Sequence, residues 1–191
     1  NIEGDVQRRD LTINALFYDI DSQEIVDLVG GLEDIKNGVV RTVGNPEDRF
    51  GEDRLRILRA IRFAGRFGSD LDSATDAALQ KDASLDKISG ERIRDEFLKG
   101  ITSAKNVVKF LQMIDKYGLF DYIFKGLNVN KKFINDKDII IVLADLLKEN
   151  KLDTIGKTLN ELKYSVDEIK GIKFLIAMLS LRIETAIPLK K

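Results

Sequence analysis

Gly51-Glu52-Asp53-Arg54-Leu55-Arg56-Ile57-Leu58-Arg59-Ala60-Ile61-Arg62-Phe63-Ala64-Gly65-Arg66-Phe67-Gly68 carries apolar residues at helical spacing and a polar side of unusual order. Leu55, Leu58, Ile61 and Ala64, with Ile57, define one amphipathic helix buried along a stripe, and Gly68 supplies its stop. Glu52 and Asp53 lead, and arginines 56, 59, 62 and 66 follow. Two readings of that polar side stay open. Glu52 with Arg56 (i,i+4) and Asp53 with Arg56 (i,i+3) are helix-surface pairs contributing about 0.2–0.5 kcal/mol each, as a solvated, salt-bridged face requires. Alternatively, an aspartate only accepts and an arginine only donates hydrogen bonds. Side by side they match an exocyclic amine next to a ring nitrogen, the pattern shared by adenine and cytosine. Uracil and guanine would leave such a pair unsatisfied, so one Asp–Arg pair can admit ATP and CTP and refuse the others. Arginines a turn further on would then lie near a triphosphate.

The remainder of the chain narrows the chemistry. Its 191 residues suffice for one sizeable domain or two small ones, and 33 % charged with 43 % hydrophobic residues is an ordinary globular balance. A net charge of −1 leaves nucleic-acid contact to local basic patches. No cysteine means no disulfide or thiolate metal site, and no histidine removes imidazole acid–base and metal chemistry. No apolar run is long enough to span a membrane, so no membrane partner is expected and the cytoplasm is the expected compartment. The chain opens on Asn1 rather than Met, which reads as a segment of something longer.

Residues 1–7 read as a loop, and Arg8 to Leu16 as a short helical turn in which Asp10 and Asn14 share a face. Carboxylate, amide and guanidinium groups together suit a ribose hydroxyl; a capped helix end with surface arginines fits equally well. Phe17–Ile20 and Glu24–Leu28 predict a hairpin around Asp21-Ser22-Gln23. Asp19 and Asp21 form a metal-like Asp-x-Asp, which we reject because the second sits in the turn, where aspartate is common for local hydrogen bonding. Gly30-Gly31 predicts a tight turn into a short helix, a bend or hinge rather than a phosphate loop. Val39–Val43 reads as a strand, and Asn45-Pro46 caps a small helix. From Ser69 onward only helices are expected, among them Ser89-capped Gly90–Phe97, then Ser103–Tyr117, and a strongly apolar, central Val166–Leu181. The aromatic Phe120–Phe133 region with Lys125, Lys131 and Lys132 reads as core with a solvated rim, and Pro188 with two lysines as a frayed end.

Taken in order, Arg8-Arg9-Asp10…Asn14, Asp27…Gly30-Gly31…Asp34, Glu52-Asp53…Arg56 and Ser89…Glu91-Arg92-Ile93…Glu96 resemble the second to fifth motifs of the class II tRNA nucleotidyltransferase and bacterial poly(A) polymerase family. The resemblance covers roughly residues 5–101. It implies an α+β, predominantly α chain: the C-terminal part of a polymerase-β-like palm (1–44), a helical neck with the nucleotide-selecting helix (45–101) and an RNA-binding helical body and tail (102–191). By similarity, Arg8, Arg9, Asp10 and Asn14 would select ribose, and Gly30 and Gly31 would be the hinge. Asp53 and Arg56 would pair with the base, Glu52 would brace Arg56, and Arg59 would contact phosphates. The family's first motif, with the catalytic Asp-x-Asp that holds Mg²⁺, precedes the second and is absent here, so no catalytic or metal-binding residue is assigned. The implied activity is addition of CMP and AMP to tRNA 3′ ends from CTP and ATP by the intact enzyme, this chain alone being inactive. Poly(A) addition to RNA 3′ ends and a catalytically dead RNA-binding module are the alternatives.

Overall fold

The charged stretch is two helices rather than one in the computed structural model, which describes residues 1–185 and side chains to residue 182. Helix α3 (Pro46–Glu52) starts on the Asn45 cap, whose side chain accepts from the Asp48 amide, and ends at Asp53, where the backbone turns extended at φ −151° and ψ 109°. The Asp53 carboxylate accepts from the Leu55 amide at 3.0 Å and opens helix α4 (Leu55–Phe67). An aspartate that can satisfy a free amide competes with continuous helix, which is why the break falls there. Glu52 therefore closes one helix instead of opening the next. Gly68 ends α4 at φ 63°.

Ile57, Leu58, Ile61 and Ala64 of α4 are at most 2 % exposed. They pack on helix α6 (Gly90–Ser103), which begins on the Ser89 cap and buries Ile93, Phe97 and Ile101; Leu98 is only half-buried. The stretch expected as one helix from Ser103 breaks at Ala104–Asn106. There the Lys105 amide donates to the Gly65 carbonyl at 2.9 Å, and Asn106 caps helix α7 (Val107–Lys116). Phe110 of α7 sits in a seat made by glycines. A Cβ on Gly100 would lie 2.1 Å from the Phe110 ring and one on Gly65 3.2 Å away. Phe97 is centred 6.0 Å from Phe110 and 5.5 Å from Phe124, which with Phe120 belongs to helix α8 (Phe120–Phe124), so this region is core as expected.

Helices α9 (Ile139–Leu147), α10 (Leu152–Glu161) and α11 (Val166–Thr185) complete the described chain. The expected central position of α11 is corrected: Ile172 and Ile176 are buried, but Val166, Phe174 and Leu181 are more than half exposed. Its apolar residues run round the helix without gathering on one face, so composition overstates its burial. Pro188, Lys190 and Lys191 lie outside the described residues. Among the described residues no helix is long and apolar enough to cross a membrane.

The first 44 residues depart from expectation in several places. Residues 2–6 form a short helix α1 (Ile2–Val6) on an Asn1 cap instead of a loop. The predicted hairpin is present as β1 (Leu16–Asp19) antiparallel to β2 (Glu24–Asp27), and Asp19 accepts from the Asp21 and Ser22 amides in its turn. Helix α2 (Gly31–Asn37) follows the diglycine. The third strand is only β3 (Val39–Val40), and it pairs in parallel with β4 (Asp70–Leu71), in the region expected to hold only helices. Two residues are too few for any alternation signal. Arg41 then ties this region to the helices, with Nε 3.1 Å from buried Asp34 and Nη1 3.3 Å from Asp72, which caps helix α5 (Ser73–Lys81).

Because the Phe110 ring is buried against Phe97, Gly100→Ala forces ring or helix to move. We expect a loss of about 1–3 kcal/mol, read as a lower thermal midpoint.

Candidate nucleotide-binding site

The diglycine turn is clamped rather than loose. Asp27 Oδ1 accepts from the Val29, Gly30 and Gly31 amides at 2.9–3.2 Å, and Oδ2 from Leu32 at 2.9 Å. Partial burial raises the Asp27 pKa, but the four amides outweigh it and hold the carboxyl below its usual range. Gly30 takes φ 80°, open only to a residue without a Cβ penalty, and a Cβ on Gly31 would sit 2.4 Å from the Thr12 carbonyl oxygen. Close approach, not phosphate binding, thus explains the second glycine. The turn is pressed onto residues 10–14, and Thr12 Oγ1 donates to buried Asp34 at 2.6 Å.

Asp10 and Asn14 meet, though not on an α-helix. Leu11 is extended, and a single 3₁₀ turn (Thr12–Asn14) folds the chain back so that Asn14 Nδ2 reaches Asp10 Oδ1 at 3.4 Å. The same oxygen accepts from the Leu11 amide at 2.9 Å, while Oδ2 accepts from Arg59 Nε at 2.6 Å. That last contact joins the turn to α4. Arg8 and Arg9 flank it in solvent and pair with Asp5, and Arg9 also lies over the Phe17 ring.

On α4 each arginine has a different employment. Arg56 pairs with Glu52 and donates to the Arg49 carbonyl. Arg59 gives Nε to Asp10 and holds Nη1 3.9 Å from Glu96. Arg62 Nε donates to Glu96 at 2.7 Å, and the Glu96 side chain is 7 % exposed. Asp53 has no salt bridge to Arg56; its Oδ2 accepts from Arg92 at 2.9 Å. Burial raises the Asp53 pKa, yet the Leu55 amide and Arg92 hold it below its usual value. Glu52 is lowered chiefly by its hydrogen bond from Arg56. Both stay ionised through neutral and mildly acid pH, and the arrangement they hold is lost only as pH falls through those depressed values. Helix α6 therefore supplies Arg92 to the break before α4 and Glu96 to α4 itself, two groups that stand four apart and so share a face. Their pairing with Asp53 and Arg62 was not legible, because i,i+4 spacing names the face and not the partner across it.

Arg8, Arg9, Asp10, Asn14, Arg56, Arg59 and Phe63 line one open cleft of about 500 Å³. Four guanidinium groups against one carboxylate make it attractive to polyanions. Glu52 and Asp53 stand outside its lining, and Gly30 and Gly31 lie behind the turn that forms its floor. A larger hollow of about 760 Å³ opens on the other side of α4, between Gly65, Lys105, Lys109 and Tyr117, and contains none of these groups. Among the described residues no cluster of three or more carboxylate, thiol or imidazole side chains fits a metal ion.

This arrangement defines a small α/β opening braced on helices, with one cationic cleft at their junction. The family described as the poly A polymerase head domain matches residues 1–41, and that described as the probable RNA and SrmB-binding site of polymerase A matches residues 69–130. The chain is 38 % identical over 183 residues to the CCA-adding enzyme of Staphylococcus saprophyticus, covering 94 % of this chain and 45 % of that protein. It is 34 % identical over 166 residues to poly(A) polymerase I of Salmonella typhimurium, covering 85 % and 34 %. The crystal structure of the Bacillus stearothermophilus CCA-adding enzyme in complex with CTP superposes with a TM-score of 0.81 at 28 % identity, over 94 % of this chain and 47 % of that one. The chain belongs to the tRNA nucleotidyltransferase and poly(A) polymerase family, and it spans less than half the length of these relatives.

Glu96→Ala removes the buried partner of Arg62 and leaves a poorly hydrated cation. We expect destabilisation of about 3–5 kcal/mol, against near-neutral effects of surface substitutions such as Lys99→Ala, measured by denaturant unfolding.

Proposed function

We propose that this chain supplies the sugar- and base-selecting part of a template-independent RNA nucleotidyltransferase that adds CMP and AMP to tRNA 3′ ends. The observation that carries the reading is the Asp10–Arg59 contact at 2.6 Å, which sets the 10–14 turn and the arginine row of α4 in the walls of one cationic cleft. Relatives named CCA-adding enzymes and a neighbour solved with CTP support it. Arg8, Arg9, Asp10 and Asn14 contact the ribose. Asp53 and Arg56 present acceptor and donor to the base edge, each steadied from behind by Arg92 and Glu52 respectively. Arg59, with its Nε on Asp10, offers its remaining nitrogens to a phosphate. The proposed plan is a palm region (1–44) in which the Gly30–Gly31 turn, clamped by Asp27 in this conformation, is the implied hinge, a neck (45–101), and residues 102–191 as the RNA-binding body and tail. Mg²⁺ would be the metal of the proposed reaction; among the described residues no cluster of carboxylates fits it. Poly(A) addition is the second reading, favoured by the likeness to poly(A) polymerase I over 85 % of the chain.

The test is incubation of the full-length protein with Mg²⁺, each NTP in turn, and tRNA lacking its CCA end. Incorporation limited to C, C and A supports the first reading, a long adenosine tail the second, and no incorporation refutes both. In the same assay Asp53→Ala or Arg56→Ala is expected to cut discrimination against UTP and GTP by about 1–3 kcal/mol; unchanged base preference in both sinks the base-pairing role. Asp10→Ala is expected to narrow the ATP-to-dATP rate ratio, and an unaltered ratio refutes its part in sugar selection.

A further inference from the structure

Past Arg59 the same face of α4 continues into an aromatic pair in which the inner ring, Phe63, packs against the core and the outer ring, Phe67, is left uncovered. Phe63 lines the cleft, and Phe67, one turn on, stacks with it at a centroid distance of 6.2 Å and an interplanar angle of 14°. Phe67 is 52 % exposed, whereas Phe50, Phe97, Phe110 and Phe124 are at most 1 % exposed. Guanidinium groups lie over both rings: Arg62 at 4.4 Å and Arg59 at 5.8 Å from the Phe63 centroid, and Arg66 at 5.5 Å from that of Phe67. Arg59 and Arg62 are held by Asp10 and Glu96, but no carboxylate pairs with Arg66 among the described residues. Phe174 on α11 is also exposed, yet among the described residues it makes no ring stack and no cation–π contact. An exposed ring next to a guanidinium that no described carboxylate neutralises, continuous with a cationic cleft, has the chemistry of a base-and-phosphate contact.

We propose that the Phe63–Phe67 ledge and Arg66 receive the unpaired 3′-terminal nucleotides of the acceptor RNA, with a base on the exposed Phe67 ring and a phosphate on Arg66. The proposal rests on the nucleotidyltransferase reading and adds the acceptor's place to it. Four residues of helix rise about 6 Å, so Phe63 and Phe67 stand about 6 and 12 Å beyond Arg59, the reach of one or two nucleotides. Stacking suits this task for a physical reason. An acceptor end changes its terminal base with each addition, and an aromatic face accepts any base while an edge-reading pair accepts few.

The experiment uses the full-length protein and a short RNA carrying 2-aminopurine at its 3′ terminus, with fluorescence quenching and the separate KM values for RNA and nucleotide as readouts. Phe67→Leu keeps an apolar cover and removes the ring; Phe67→Tyr keeps the ring. Phe67→Leu is expected to lose quenching and raise the RNA KM about tenfold, with nucleotide KM and base preference unmoved, while Phe67→Tyr stays near wild type. Wild-type behaviour of Phe67→Leu overturns the proposal. Equal loss in both variants, or absence of quenching in the wild type, overturns it as well. A protein that quenches 2-aminopurine but adds no nucleotide refutes the transferase reading and leaves the ledge standing, so the two failures are distinct.

Discussion

A guanidinium held between two nearly buried carboxylates organises this protein's site. Arg59 meets Asp10 at 2.6 Å on one side and comes within 3.9 Å of Glu96 on the other, and the two acidic side chains are only 10 % and 7 % exposed. Charges so far withdrawn from water hold their partners firmly, because releasing one would strand another in a poor dielectric. The partners come from three separate parts of the chain: the 10–14 turn, α4 and α6. Their meeting fixes where the cleft is.

Each of those parts is braced in turn. The 10–14 turn rests on Gly31 and on Thr12–Asp34, and Arg41 carries the connection on to Asp72 at the head of α5. Helix α4 is set by close approach, with Gly65 against Phe110 and the Lys105 amide on the Gly65 carbonyl. A helix seated that tightly has little freedom to roll about its axis, so its arginine row keeps a single heading. Rotational register on the buried side thereby becomes chemical register on the exposed side. The break at Asp53 serves the same end, since a continuous helix would have kept that carboxylate on the helix surface near Arg56. Released from it, Asp53 is drawn toward Arg92 of α6 instead.

Local signals were legible wherever one residue's chemistry decides. The Asn45 and Ser89 caps, the Gly68 stop and the hairpin turn at Asp19 needed only a neighbour's amide or a left-handed backbone, and each stands where local rules place it. Order and spacing of the charged motifs named Arg8, Arg9, Asp10, Asn14, Glu52, Asp53, Arg56 and Arg59; six of these line one cleft, while Glu52 and Asp53 stand outside it. What was misread needed distant partners. The two-residue β3–β4 pairing, the break before α7 and the peripheral seat of α11 all depend on which surface arrives from elsewhere in the chain.

The sequence by itself determined a helix-rich chain with a small α/β opening and the chemical types available to its site, because caps, periodicity and donor–acceptor identity are properties of residues and near neighbours. Only the tertiary structure decided that Asp10 faces Arg59, that Glu96 is buried against Arg62, and that Asp53 leaves Arg56 for Arg92. An ion pair names its members' charges in the sequence but not their match. Matching is settled by which faces the apolar core brings into contact, and that core is assembled from residues far apart in the chain.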